Sequence, residues 1–268
     1  MEANAADNKK IKEVVQKKYS LIVQNPSSCC GDSSCCGDST YTIFSEKYDT
    51  LKGYNPDADL NLGCGIPTQY AGIKQGDSVL DLGSGAGNDC FVARAIVGET
   101  GKVVGLDFTD AMIAKAIENN NKFGFTNVSF IRGDIEDMPL PDKEFDVIVS
   151  NCVLNLVPDK NKAFKQMIRV LKTGGHFCVS DVVIKGELPE MLRKDAEMYA
   201  GCVSGAIKIE EYLNIINVQG FQNVTVHKQK EISIPKETLS KYMSNDDITR
   251  FQSGEIGIFS ITVSGYKQ

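Results

Sequence analysis

Histidine is almost missing from this sequence. Among 268 residues only His176 and His227 carry an imidazole. An enzyme that moves protons through imidazole, or a zinc site rich in His, has little to work with here. Tryptophan is absent altogether, which by itself excludes nothing. No stretch approaches the ~20 apolar residues needed to span a bilayer, so a membrane anchor is not expected. Residues 1–12 are polar and contain no signal-peptide core. The expected address is therefore the cytoplasm, where cysteines stay reduced. Positive charge is not in excess. The formal net charge is −6, so the overall field repels polyanions and argues against a general nucleic-acid binder.

What is present is an ordinary globular composition with nine cysteines. Residues 8–24 place Ile11, Val14, Val15, Tyr19, Ile22 and Val23 at helical spacing, which predicts an amphipathic helix. A tandem hexapeptide repeat follows at 29–40, CCGDSSCCGDST, polar and glycine-containing and expected to be a loop. Residues 41–75 read as short helical or irregular pieces. From Asp77 the pattern becomes strand–helix alternation. Strands are expected at 78–82, 102–107, 127–134, 145–151 and 176–183. Helices are expected at 88–97, 110–124 and 161–172, the last stopped by Gly174 and Gly175. Continuous apolar strands separated by helix-length segments imply a parallel sheet covered on both faces. The segment 188–206 departs from the alternation and is expected to act as a lid. A helix at 209–221 and antiparallel strands at 222–234 and 259–267 would close the sheet. The expected division is an N-terminal helix and cysteine-rich segment (1–72), a core that includes the lid (73–222), and C-terminal strands with an extension (223–268).

The sharpest local motif is DLGSGAG at 81–87, after a strand and before a helix. Glycines permit the tight turn and let backbone approach a ligand closely. The dinucleotide fingerprint would need its third glycine at position 88, which is Asn88. The run resembles instead the first motif of class I methyltransferases, a Rossmann-like α/β fold with a doubly wound, mostly parallel seven-stranded sheet and an antiparallel edge. That resemblance implies S-adenosylmethionine as cofactor. It also implies a cofactor site of Asp81, Gly83, Ser84, Gly85, Gly87, Asp107, Ile135, Glu136 and Asn151. In that arrangement Asp107 accepts from the ribose hydroxyls, and 133–136 lies beside the adenine.

Beyond the carboxyl ends of the strands, where substrates of open α/β sheets sit, this chain places sulfur. Cys152 follows the fourth strand, Cys202 lies in the lid and Cys64 just precedes the core. Cys90 and Cys178 fall mid-helix and mid-strand, and core packing is expected of them. The motifs NLGCGIP, DLGSGAGND, SNCVLNLVPDK and AGCVSGA together resemble arsenite S-adenosylmethionine methyltransferases over roughly residues 40–220. The resemblance implies that Cys152 and Cys202 hold trivalent arsenic, presented as a thiol conjugate. Cys64 would serve as a third thiol and exchange with an N-terminal cysteine. Four residues compete for that last role: Cys29, Cys30, Cys35 and Cys36. It implies too a cytosolic reductant, thioredoxin or glutathione, to reset a disulfide. The chemistry fits the composition. Sulfur-bound trivalent arsenic keeps a lone pair that can attack a methyl group in line, with no proton to remove and no base required. Three other readings remain open at this level: a methyltransferase for a small organic acceptor, a non-catalytic thiol-rich metalloid binder, and a zinc or copper tether for the cysteine repeat.

Overall fold

The computed structural model describes residues 5–24, 46–187, 205–232 and 236–268. Seven strands form one sheet: β1 (Ser78–Leu82), β2 (Lys102–Asp107), β3 (Val128–Arg132), β4 (Phe145–Asn151), β5 (Leu171–Lys185), β6 (Gln222–Glu231) and β7 (Gly257–Tyr266). Their order is β3-β2-β1-β4-β5-β7-β6. The first five pair in parallel, and β7 runs antiparallel between β5 and β6. The expected mostly parallel sheet with an antiparallel edge is thus observed. Helices in the described residues are α1 (Ala5–Gln24), α2 (Asn88–Val97), α3 (Asp110–Phe123), α4 (Lys160–Val170), α5 (Ile209–Val218), α6 (Lys236–Leu239) and α7 (Asn245–Gln252).

The alternation of strand side chains decides which helix covers which face. In β1, Val79 packs with Cys90, Phe91 and Val97 of α2. Its neighbours Leu80 and Leu82 point the other way and join Phe164 and Met167 of α4 and Tyr212 and Ile216 of α5. Phe164 meets Phe177, Tyr212 and Phe221 edge-on at centroid distances of 5.7, 5.8 and 6.3 Å, each such pair adding about 0.5–1.5 kcal/mol beyond area burial. Cys90 and Cys178 are both wholly buried in this packing. Burial pushes the Cys178 thiol up to about 12.

Several expected boundaries move. Helix α4 stops at Val170, and the fifth strand begins at Leu171, not 176. Gly174 and Gly175 therefore lie inside β5 and do not end a helix. Gly174 has φ +78°, and the β4–β5 register shifts between Phe145 and Val147, so the glycine pair absorbs an irregularity in the strand. Helix α5 ends at Val218, three residues short of expectation. The short helices α6 and α7 lie where no element was expected. The expected lid falls outside the described residues except for Gly205 and Ala206. No described helix is long and apolar enough to cross a membrane.

Candidate active site

A cleft opens at the carboxyl edge of β1, β2, β3 and β4. Of the residues expected there, Asp81, Gly83, Ser84, Gly85, Asp107, Ile135, Asn151 and Cys152 line it. The 83–87 loop is left-handed at its three glycines, with φ of +68°, +52° and +100°. A Cβ on Gly83 would stand 2.3 Å from Val153 Cγ2, so the turn between β1 and α2 admits no side chain there. Gly85 differs: its nearest neighbour would be Met112 Sδ at 3.9 Å, leaving space for a ligand against the backbone. Asp107, at the end of β2, accepts from Gly85 N at 3.0 Å and Thr109 N at 2.8 Å. Each of its oxygens keeps acceptor capacity for a further donor. Asp134 and Glu136 do different work. Asp134 accepts the Glu136 amide at 2.9 Å, and Glu136 accepts the Asp159 amide at 2.6 Å.

Part of the cleft wall lies far off in sequence. Helix α1 lies across the adenosine end of the expected site. Lys12 pairs with Asp134 at 2.6 Å and with Glu136. Gln16 Nε2 donates to Phe108 O at 3.2 Å, and Val15 and Tyr19 face the cleft. The helical spacing of Val15 and Tyr19 was visible in the sequence, but not the surface that it would cover.

The cleft is strongly acidic. Asp81, Asp89 and Asp107 are 2%, 9% and 8% exposed. Among the described residues no lysine or arginine pairs with any of them. Burial raises all three carboxyls, Asp89 to about 6, while hydrogen bonds from Tyr48 and Asn151 hold Asp89 lower than burial alone would. Buried carboxylates with no cation form a site that lacks its counter-charge. A ligand carrying an ammonium and a sulfonium group supplies it, so the residues fit S-adenosylmethionine. Asp89 was missed as a site residue because an acid in the first turn of a helix reads as a response to the helix dipole.

Sulfur stands beside this cleft. Cys152 has φ +59°, a conformation costly for a residue with a side chain. Its amide is fixed by Ser180 O at 2.8 Å. Cys64, wholly buried, packs in the same cluster as Cys152, together with Ala206 from the end of the expected lid. The Cys64 amide donates to Asn151 Oδ1 at 3.0 Å, and Ser260 Oγ donates to Cys64 O at 2.5 Å. Cys29, Cys30, Cys35, Cys36 and Cys202 lie outside the described residues. Behind the thiols, Tyr212 donates to the fully buried Asp181 at 3.1 Å, and its phenol is raised by burial, by Asp181 and by the nearby Cys64 and Cys152. Lys160 donates to Val157 O and to Gly205 O, both at 3.3 Å, the second at the end of the expected lid. Both histidines are elsewhere: His176 bonds Ala71 O, and His227 bonds Ser264 Oγ.

Comparison with known proteins fits this geometry. Residues 73–240 match a family described as a methyltransferase domain. An arsenite methyltransferase from Aquipseudomonas alcaligenes is 35% identical over 260 residues, covering 93% of this chain and 72% of that protein. The chain belongs to the arsenite methyltransferase family. An arsenite methyltransferase from Halobacterium salinarum is 37% identical over 91% of this chain, which spans 64% of that relative's length. The structure of an arsenic(III) S-adenosylmethionine methyltransferase from Chlamydomonas reinhardtii superposes with a TM-score of 0.65 at 32% identity, covering 87% of this chain and 75% of that one. The fold is that of class I S-adenosylmethionine methyltransferases.

Proposed function

We propose that this chain transfers methyl groups from S-adenosylmethionine to trivalent arsenic held by its own thiols, and so detoxifies arsenite. The observation that carries the reading is Cys152: a strained, buried thiol on the wall of the acidic cleft, packed in one cluster with Cys64. When bound, S-adenosylmethionine supplies an activated methyl group on a positively charged sulfur. The protein's own residues do the rest. Asp81 and Asp89 offer negative charge to a cationic ligand, and Asp107 offers acceptors to its hydroxyls. Gly83, Ser84, Gly85, Gly87, Ile135 and Glu136 complete the cofactor side in this reading. Cys152 and Cys202 hold the arsenic, with Cys64 as third thiol. Soft thiolates suit a thiophilic ion. They leave it in place for transfer without a general base, which agrees with imidazoles bound elsewhere. The three segments 1–72, 73–222 and 223–268 remain our working division, with 188–206 as the lid. A redox partner among Cys29, Cys30, Cys35 and Cys36, a reductant such as thioredoxin or glutathione, arsenic delivery as a thiol conjugate, and a cytoplasmic setting complete the proposal.

The test is an arsenite methylation assay with product speciation. Cys152→Ser and Cys202→Ser should abolish every methylation step yet still bind the cofactor, because a hydroxyl does not replace a soft thiolate. Cys64→Ser should lose activity on arsenite and keep part of it on a methylated trivalent substrate. Full arsenite methylation by Cys152→Ser would remove Cys152 from the arsenic ligands, and no arsenite methylation by the wild-type protein would end the arsenic reading and leave a methyltransferase for an organic acceptor.

A further inference from the structure

The side chain of Asn151 is the point at which the Cys64 loop is tied to the strand that carries Cys152. Its Oδ1 accepts the Cys64 amide at 3.0 Å. Its Nδ2 stands 2.7 Å from Tyr48 Oη, 2.8 Å from Gly65 O and 3.3 Å from Asp89 Oδ2. An amide nitrogen carries two protons. Three protein acceptors already surround it, so none is left over for a cofactor. The loop closes tightly on this group. A Cβ on Gly63 would lie 2.5 Å from Asn151 Nδ2, and one on Gly65 would lie 2.5 Å from Ser180 Oγ. Tyr48 reinforces the tie by also reaching Gly65 O at 3.1 Å and Asp89 at 3.0 Å. The Cys64 amide and the Gly65 carbonyl therefore hang on one side chain, next in sequence to Cys152.

We propose that Asn151 is a positioning residue of the arsenic site: its carboxamide splints loop 63–65 to the end of β4 and so sets the separation of the Cys64 and Cys152 thiols. The inference rests on the reading that these thiols hold trivalent arsenic, and it reassigns Asn151 from the cofactor to the substrate. An ion held by several thiols gains affinity from each sulfur already in place, and that gain is lost when one of them drifts. Cys64 is the third thiol. Loss of the splint should therefore weaken arsenite, which takes three sulfurs, and spare a probe that takes two.

The experiment uses the full-length chain with Cys29, Cys30, Cys35 and Cys36 replaced by Ser, which removes vicinal thiols that would bind arsenite themselves. Calorimetry measures arsenite, phenylarsine oxide and S-adenosylhomocysteine on this protein and on its Asn151→Ala and Cys152→Ser variants. Removing two or three hydrogen bonds should weaken arsenite binding by Asn151→Ala roughly tenfold or more. Phenylarsine oxide and S-adenosylhomocysteine should change by less than about threefold, within the spread of such measurements. The KM for arsenite should rise more than kcat falls. Unchanged arsenite affinity would overturn the splint. So would an equal loss of S-adenosylhomocysteine affinity, which would return Asn151 to the cofactor, or an equal loss of phenylarsine oxide affinity. Should Asn151→Ala not fold, Gly63→Ala carries the test from the other side of the contact, with the same split expected. Where both variants fold, the double variant should be no worse than Asn151→Ala alone, and additive losses would count against the contact. Failure of the parent protein to bind arsenite, or normal binding by Cys152→Ser, would remove the reading that these thiols hold arsenic and the splint with it.

Discussion

Replacing Asp181 with Asn should make the protein's stability less sensitive to pH, and the size of the effect follows from burial. The Asp181 side chain in β5 is wholly buried. It accepts from Val182 N at 2.9 Å and from the Tyr212 hydroxyl at 3.1 Å. Burial pushes its carboxyl up to about 7, against the pull of the Lys160 charge and of these hydrogen bonds. In an unfolded chain an aspartate titrates at about 3.9. Between about pH 4 and pH 7, then, the folded protein holds a proton that the unfolded chain has lost, and stability falls as pH rises through that window. Below and above it the contribution is flat. A gap of roughly 3 pH units at ~1.4 kcal/mol per unit is worth about 4 kcal/mol. Urea unfolding of wild type and Asp181→Asn at pH 5, 6, 7 and 8 measures the difference. The variant's stability relative to wild type should climb by ~1.4 kcal/mol per unit up to pH 7 and then level off, a gain of about 2–3 kcal/mol across the range. Asp81, Asp89 and Asp107 titrate in both proteins and cancel. The lost or altered hydrogen bonds offset the whole curve by about 1 kcal/mol without changing its slope. A difference that stays flat from pH 5 to pH 8 would refute the assignment of a protonated, buried acid.

Three further outcomes follow from the cleft. Gly83→Ala forces a Cβ to within 2.3 Å of Val153 at φ +68°, and calorimetry should show cofactor affinity reduced by roughly tenfold or more, given a strain of about 1–3 kcal/mol. Gly124→Ala is the control: φ is +70° but nothing lies within 4 Å, so about 1 kcal/mol of stability should go with cofactor affinity unchanged. Because the Asp89 carboxyl sits at about 6, affinity for the cationic S-adenosylmethionine should fall as pH drops through that value and the acid takes up its proton. S-adenosylhomocysteine, which lacks the sulfonium charge, should respond less, and Asp89→Asn should abolish the difference. Finally, Lys12→Ala releases α1 from Asp134 and Glu136. Stopped-flow measurement should show cofactor dissociation severalfold faster, in line with a part-exposed pair worth about 1 kcal/mol; an unchanged rate would mean that α1 does not hold the cleft shut.

The sequence by itself determined the features that are local. Short apolar runs between helix-length segments put β1, β2 and β4 where they lie, because a strand covered on both faces needs apolar residues along its length. The glycines at 83, 85 and 87 marked the turn, since only their φ values allow it. Asp107 could be placed at a strand end, and Cys64 and Cys152 could be singled out by their motifs. Tertiary structure decided everything that depends on which distant segments meet. Lys12 reaches Asp134 across 122 positions, and Asn151 reaches the Cys64 amide across 87. Neither contact has a trace in the residues on either side of it. The pair Gly174 and Gly175 reads equally as a helix stop and as a strand irregularity, and only pairing with β4 chose the second. The same holds for charge. Asp181 and Asp89 look like any surface acids in the chain. Their altered proton affinity comes from water that the folded sheet and helices exclude, and exclusion of water belongs to the assembled protein.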